Sequence, residues 1–262
     1  MIGYGPCNRL PASESARMFL PMTLSLRTAV LVASLLLGCS VAQADADPLP
    51  VSPFRARFEV YGSGIPIGEA VMTLAATGPG TYQMRSEVRP NALATLLVSG
   101  QIDEQVRGEI RAEVIRPTHY ERRMETSKKK QTVQLQFDWA ANRLEARDNE
   151  AHASLPLTPG VLDPLSLNLR VMADLRRGHL ADQYSLADET EIKSYQINNE
   201  GEETLDTSLG KLRAVRISQS KPGKTRITRF WFAPDLQYLP VRIAQHKDGK
   251  ELLRMEIRAL DR

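Results

Sequence analysis

Few residues in this sequence have the types and spacing that chemistry demands. The four histidines, His119, His152, His179 and His246, share no metal-ligand spacing. None stands in an H-x-x-x-H or H-E-x-x-H context. The two cysteines, Cys7 and Cys39, make neither a disulfide framework nor a thiolate zinc site. There is no Gly-x-Ser-x-Gly elbow, no P-loop and no G-x-G-x-x-G. The sequence therefore predicts no catalytic residue, no metal and no cofactor. What remains is a set of carboxylates in or near strands: Glu59, Glu69, Glu87, Asp103 and Glu104. Two of them on one face could serve as acid and base on a glycosidic bond. Interleaved with Arg55, Arg57, Arg85 and Arg107, they read more simply as a solvated sheet face of cross-strand ion pairs. Asp235 follows Pro234 between two apolar runs and reads as a turn residue. Lys128, Lys129 and Lys130 form a basic cluster near Arg122 and Arg123. It could touch anionic headgroups, at ~1 kcal/mol per cation. Thr126-Ser127 before it favours a solvated hairpin tip.

The elements that must position these residues are mostly strands. In Phe54–Tyr61, apolar residues at 54, 56, 58 and 60 alternate with charges at 55, 57 and 59, the pattern of a strand with one wet face. Ile67–Ala75 reads as its return, and Gly78-Pro79-Gly80 as the next turn. Alternation continues through Tyr82–Val88 and Gln131–Trp139. Further strands are expected over 98–108, 109–115, 118–124, 144–148, 191–198, 202–207, 212–219, 225–232, 240–247 and 250–260. Asp248-Gly249 marks a hairpin. A short helix is expected over 91–97. The main helix is expected over about 163–177, with Asp163 as cap, Pro164 at the first position, Leu165, Leu169 and Met172 at helical spacing, and Gly178 as stop. The fold class is mainly β: a single curved antiparallel sheet, open or half barrel, of about a dozen strands with that helix packed on it. The domain is expected over 53–262, preceded by a flexible linker at 45–52.

The first forty-four residues read as an address. Arg27, the apolar run Thr28–Gly38 and the small residues Ala42 and Ala44 occur in the order of a secretory signal and its cleavage site. Residues 1–21 fit a signal poorly and read as an over-extended start. Leu36-Leu37-Gly38-Cys39 offers an alternative, acylation of Cys39 and outer-membrane anchoring. Either route leads to the periplasm and leaves no transmembrane span in the working chain. Cleavage after Ala44 also discards both cysteines. Lys plus Arg is 34 against 31 for Asp plus Glu, so the net charge is only +3, which argues against a nucleic-acid partner.

An F-x-A-x-F-x-V-Y strand (Phe54–Tyr61), G-x-G-I-P-I-G-E-A (Gly62–Ala70), D-P-L-S (Asp163–Ser166) and R-F-W-F-A-P-D-L-Q-Y-L-P-V-R-I (Arg229–Ile243) stand in this order. Over roughly residues 50–260 the chain resembles the exported bacterial proteins grouped as domain of unknown function 3108. That resemblance implies no established activity. The architecture is also similar to the periplasmic lipoprotein carriers and receptors of the Lol type, which implies a half barrel with a helical lid over an apolar cavity.

The leading expectation is a non-enzymatic periplasmic binding or carrier protein for a lipid, an acyl chain or a lipidated partner. Its apolar lining would be Phe58, Met72, Met84, Leu135, Phe137, Trp231, Ile243 and Met255, with methionines adapting to ligand shape. One alternative is an envelope glycan hydrolase using paired carboxylates. Another is an assembly or scaffold factor presenting a sheet edge to a protein partner.

Overall fold

The computed structural model describes residues 49–91, 100–127 and 129–262. The signal segment with Ala42, Ala44 and Cys39, together with Lys128 and all but Asn91 of the helix expected over 91–97, lies outside the described residues.

The alternation seen in the sequence becomes one sheet. β1 (Phe54–Gly62) buries Phe54, Ala56, Phe58 and Val60 and exposes Arg55 and Arg57. β2 (Ile65–Gly78), β3 (Thr81–Pro90), β4 (Gly100–Arg111), β5 (Val114–Thr126), β6 (Lys130–Asp138), β7 (Arg143–Asp148) and β8 (Ala151–Pro156) follow as an antiparallel meander. After the helix α1 (Pro164–Arg177), a second meander runs through β9 (Gln183–Asp188), β10 (Glu191–Thr207), β11 (Gly210–Ser220), β12 (Arg226–Ala233), β13 (Leu239–Lys247) and β14 (Lys250–Asp261). β14 then pairs with β1, which joins both meanders into fourteen antiparallel strands with β8 and β9 at the edges. The single antiparallel sheet with one helix is the architecture expected from the sequence.

Several boundaries differ, each for a local reason. The chain turns at Ala112-Glu113, both at positive φ (48° and 61°), inside the strand expected over 109–115, so that strand does not form and its halves belong to β4 and β5. That geometry normally takes Asn or Gly, and neither residue type marks it here. Pro117 is tolerated inside β5 because the pairing with β4 shifts register between Arg107 and Gly108. The two strands expected over 191–207 are one long β10, bulged between Asn199 and Glu202 with Gly201 at φ 97°. β8 and β9 carry no sequence mark. β8 (AHASLP) is an exposed edge strand and has no buried row to imprint alternation. Val51 is buried and the Ser52 N–H donates to Gln237 Oε1, so the packed fold takes in residues placed in the linker.

α1 forms where its signals stand. Asp163 accepts from the N–H groups of Leu165 (2.9 Å) and Ser166 (3.1 Å), and Gly178 ends the helix at φ 70°. Leu165, Leu167, Leu169, Val171 and Met172 are all buried, at roughly 1.5–3 kcal/mol each. The helix packs on β3, β4, β5 and β9. Its buried carboxylate Asp174 is satisfied by Arg170 (2.7 Å), Arg177 (2.8 Å) and the Tyr184 hydroxyl (2.6 Å). No helix among the described residues is long and apolar enough to cross a membrane.

The sheet curls until its two ends face each other. Leu162, just before α1, bridges to β9 through Leu162 N–H to Ser185 O (3.0 Å) and Ala187 N–H to Leu162 O (2.8 Å). Arg122 of β5 meets Asp188 of β9 at 3.1 Å, and Gln131 of β6 donates to Glu189 at 3.1 Å. Side chains rather than ladder hydrogen bonds therefore link the β5–β6 region to β9.

Candidate functional site

Cross-strand partners point to the same side of a sheet. On this rule Phe54, Leu74, Met84, Val106, Tyr120, Leu135 and Ala146 form one row across seven strands. Tyr82 lies on that face and its hydroxyl meets Ser166 of α1 at 2.7 Å, so this is the inner face that the helix covers. The same register places Phe58, Met72, Phe137, Ile243 and Met255 there with Met84 and Leu135. Seven of the eight residues expected to line a cavity thus share one face. All but Ile243 are buried in a continuous core with α1. Trp231 is the eighth and points the other way: its partners are Arg216 and Arg242, while its neighbour Phe230 pairs with Ile243.

At one end of the inner face the core opens among the described residues. The row Ala70, Val88, Ile102 and Met124 begins buried and ends with three half-exposed apolar side chains. Beside it runs the row Ser86, Glu104, Arg122, Val133 and Asp148. The Tyr120 hydroxyl donates to Glu104 at 3.0 Å. Burial pushes the Glu104 carboxyl up, against the opposing pull of the Arg122 guanidinium and the Tyr120 hydrogen bond. Burial likewise pushes the Tyr120 hydroxyl well up, and Glu104 adds to that rise. Arg122 reaches Asp188 through Nη1, but its buried Nε has no hydrogen-bond partner. Gln131 ties Asp148 (2.8 Å to each oxygen) to Glu189. The facing wall comes from β9–β11. Lys193 lies 3.9 Å from Glu189, and the Lys221 ammonium sits 4.9 Å above the Tyr195 ring. Burial raises Tyr195 to about 12 and lowers Lys221. Titratable groups displaced in this way gather at functional sites more than elsewhere.

Sequence reasoning placed Glu104 on the wet face with its neighbours. Glu87 and Asp103 do lie outward and ring Arg89, whereas Glu104 turns in. The signal was weak because β4 carries polar residues on both faces, from Gln101 to Gln105. Arg122 is masked in the same way, flanked by Glu121 and Arg123. Asp235 lies exposed in a single 3-10 turn, Pro234–Leu236. Lys129 and Lys130 stand at the β5–β6 turn, where the Lys129 N–H bonds the Thr126 hydroxyl (2.9 Å). Their ammonium groups pair with Glu189 and Glu125.

The outer face holds a second concavity. Trp231, Arg229, Arg216, Arg242 and Arg254 line a trough of about 450 Å³ with Glu200, Glu251 and His246. Beside it the β10–β11 turn reaches over to β14, where Ser208 accepts from Arg258 at 2.9 Å.

None of the curated proteins matches this chain. It is similar to a β-barrel-like protein of domain of unknown function 1849 from Brucella abortus, at 12% identity over 80% of this chain and 98% of that one, with a TM-score of 0.53. At that identity the likeness concerns the fold alone. A candidate lipoprotein from Parabacteroides distasonis (10% identity, 82% and 97% covered, TM-score 0.35) also matches. So does a candidate exported protein with a YmcC-like fold from Bacteroides fragilis (9%, 80% and 95%, TM-score 0.30). Both superpose too loosely to bear on function. The family model for the protein of unknown function DUF3108 matches residues 57–258, and the chain belongs to that family.

Proposed function

We propose that this chain is a non-enzymatic binding protein of the cell envelope that holds an amphipathic, acyl-bearing molecule at the open end of the inner face. The acyl chain lies along Val88, Ile102 and Met124, and an anionic head meets Arg122. Export is supported by the order of Arg27, the apolar run and Ala42-x-Ala44 in the sequence.

The observation that carries the reading is the Arg122 Nε, a buried donor without a partner directly beside half-exposed apolar side chains. An unpaired buried donor costs about 1–3 kcal/mol. A ligand oxygen at that point relieves the cost. Covering the apolar row adds about 25 cal/mol for each Å² removed from water. Most of the expected lining is filled by its own side chains and α1, so the ligand occupies the rim of the core rather than its centre. The test is native mass spectrometry of the protein purified from its own envelope. The expected result is a co-purifying acyl-bearing species that is lost in Arg122→Met. A protein that carries no such species contradicts the proposal.

A further inference from the structure

The trough on the outer face lies on the opposite side of the sheet from the acyl site and does not depend on it. Four arginines reach it from four adjacent strands: Arg216 of β11, Arg229 of β12, Arg242 of β13 and Arg254 of β14. Each is held by a carboxylate or an aromatic ring. Glu200 takes Arg216 and Arg229 (2.9 and 2.8 Å), and Glu256 takes Arg242 and Arg254 (2.8 and 3.3 Å). Arg242 also lies over the Trp231 ring at 5.6 Å, and Arg254 over Tyr61 at 4.8 Å. The Trp231 indole is fixed in turn by Glu203 at 2.7 Å.

Such pairing fixes the guanidinium planes before any ligand arrives, so little side-chain entropy is lost on binding. Polar atoms remain unspent. The Nε of Arg216, Arg242 and Arg254 and the Nδ1 of His246 are buried without a hydrogen-bond partner. The walls therefore present fixed donors alternating with carboxylate acceptors, the complement of neighbouring hydroxyl groups. Glu200, Glu203, Glu251 and Glu256 match the four guanidiniums in charge, but Glu200 and Glu256 each serve two arginines, so guanidinium N–H donors outnumber the carboxylate acceptors. A volume of about 450 Å³ suits a small polar ligand, since ligand pockets run from about 300 to 1,000 Å³.

We infer that this trough binds an anionic sugar: a saccharide unit whose hydroxyls bridge the Arg–Glu pairs and whose phosphate or carboxylate meets Arg229 and Arg242. The chain has two tryptophans, Trp139 and Trp231. Trp139 donates to Pro117 O on β5, away from the trough. Their indole N–H resonances give a reporter and an internal control.

The experiment titrates the full chain with glucose 6-phosphate, glucuronate and glucose at constant ionic strength. The expected result is a saturable shift of the Trp231 indole with one or both anionic sugars, an unmoved Trp139, and much weaker binding of glucose. Response to only one of the two identifies the phosphate or the carboxylate as the preferred anion. Arg229→Gln, at a partly exposed position, weakens the shift about tenfold through loss of one charge-assisted contact. Arg122→Met leaves it intact, which separates this site from the acyl site. Three results overturn the inference: no Trp231 shift at millimolar sugar, an equal shift from inorganic phosphate alone, or a shift that Arg229→Gln does not alter.

Discussion

Asp163 caps α1 from a fully buried position, and desolvation outweighs the hydrogen bonds from Ser166 and Leu165, so its carboxyl is pushed up to about 6. A carboxyl raised above its unfolded value favours the fold in its protonated form. Its stabilising contribution is complete below the unfolded pKa near 4 and is lost as pH rises through about 6. Glu104, also raised, acts in the same direction. Asn caps a helix as well as Asp does, so Asp163→Asn keeps the cap and removes the titration. The stability of wild type relative to Asp163→Asn should fall by on the order of 3 kcal/mol between pH 4 and pH 7. Urea unfolding of both proteins at each pH measures it, and parallel pH profiles would refute it. The cap itself was legible in Asp163-Pro164 because capping is a local property. Its neighbours were not: Tyr82 reaches Ser166 from a strand far away in sequence, and no local pattern encodes that meeting.

At the scale of elements, β4 and α1 approach through Tyr82, and Gly108 makes the room. A Cβ on Gly108 would stand 2.5 Å from the Tyr82 ring and 2.6 Å from Arg116 O, a backbone atom that cannot swing aside. Gly100 lies on the same strand but meets only the Thr126 methyl at 3.5 Å, an ordinary contact. Gly108→Ala should therefore lower stability by about 1–3 kcal/mol or more, the range for overpacking, while Gly100→Ala changes it little. Thermal denaturation of the two variants compares them directly, and equal melting temperatures would contradict the account. Strands with one buried face, such as β1 and β6, were readable from alternation. β8 was not, because it has no buried row to imprint the pattern, and β9, which does bury Tyr184 and Leu186, is only six residues long. The Ala112-Glu113 turn was hidden because its conformation is imposed by the ladders on either side rather than by residues that favour it.

The whole molecule is two meanders joined where β14 returns to β1, curled so that Arg122 on one side meets Asp188 on the other. This arrangement gives the sheet two usable sides: an inner face filled by α1 except at its rim, and an outer trough lined by arginines. The sequence revealed the inner face as a set of alternating apolar positions. It could not reveal that the helix fills most of that face, because the helix is apolar in the same way whether it lids a cavity or packs into a core. Trp231 read as lining for the same reason: Phe230, Trp231 and Phe232 run without alternation, and only the pairing with Arg216 and Arg242 sets its side. The central claim is that the open rim, with Arg122 and the Val88–Ile102–Met124 row, takes an acyl chain with an anionic head. Its most direct test is fluorescence titration with 11-(dansylamino)undecanoate of wild type, Arg122→Met and Ile102→Glu, with circular dichroism confirming that each is folded. Saturable binding to wild type, weakened about tenfold or more in both folded variants, is the predicted result. Absence of binding to wild type, or binding that neither substitution weakens, would contradict it.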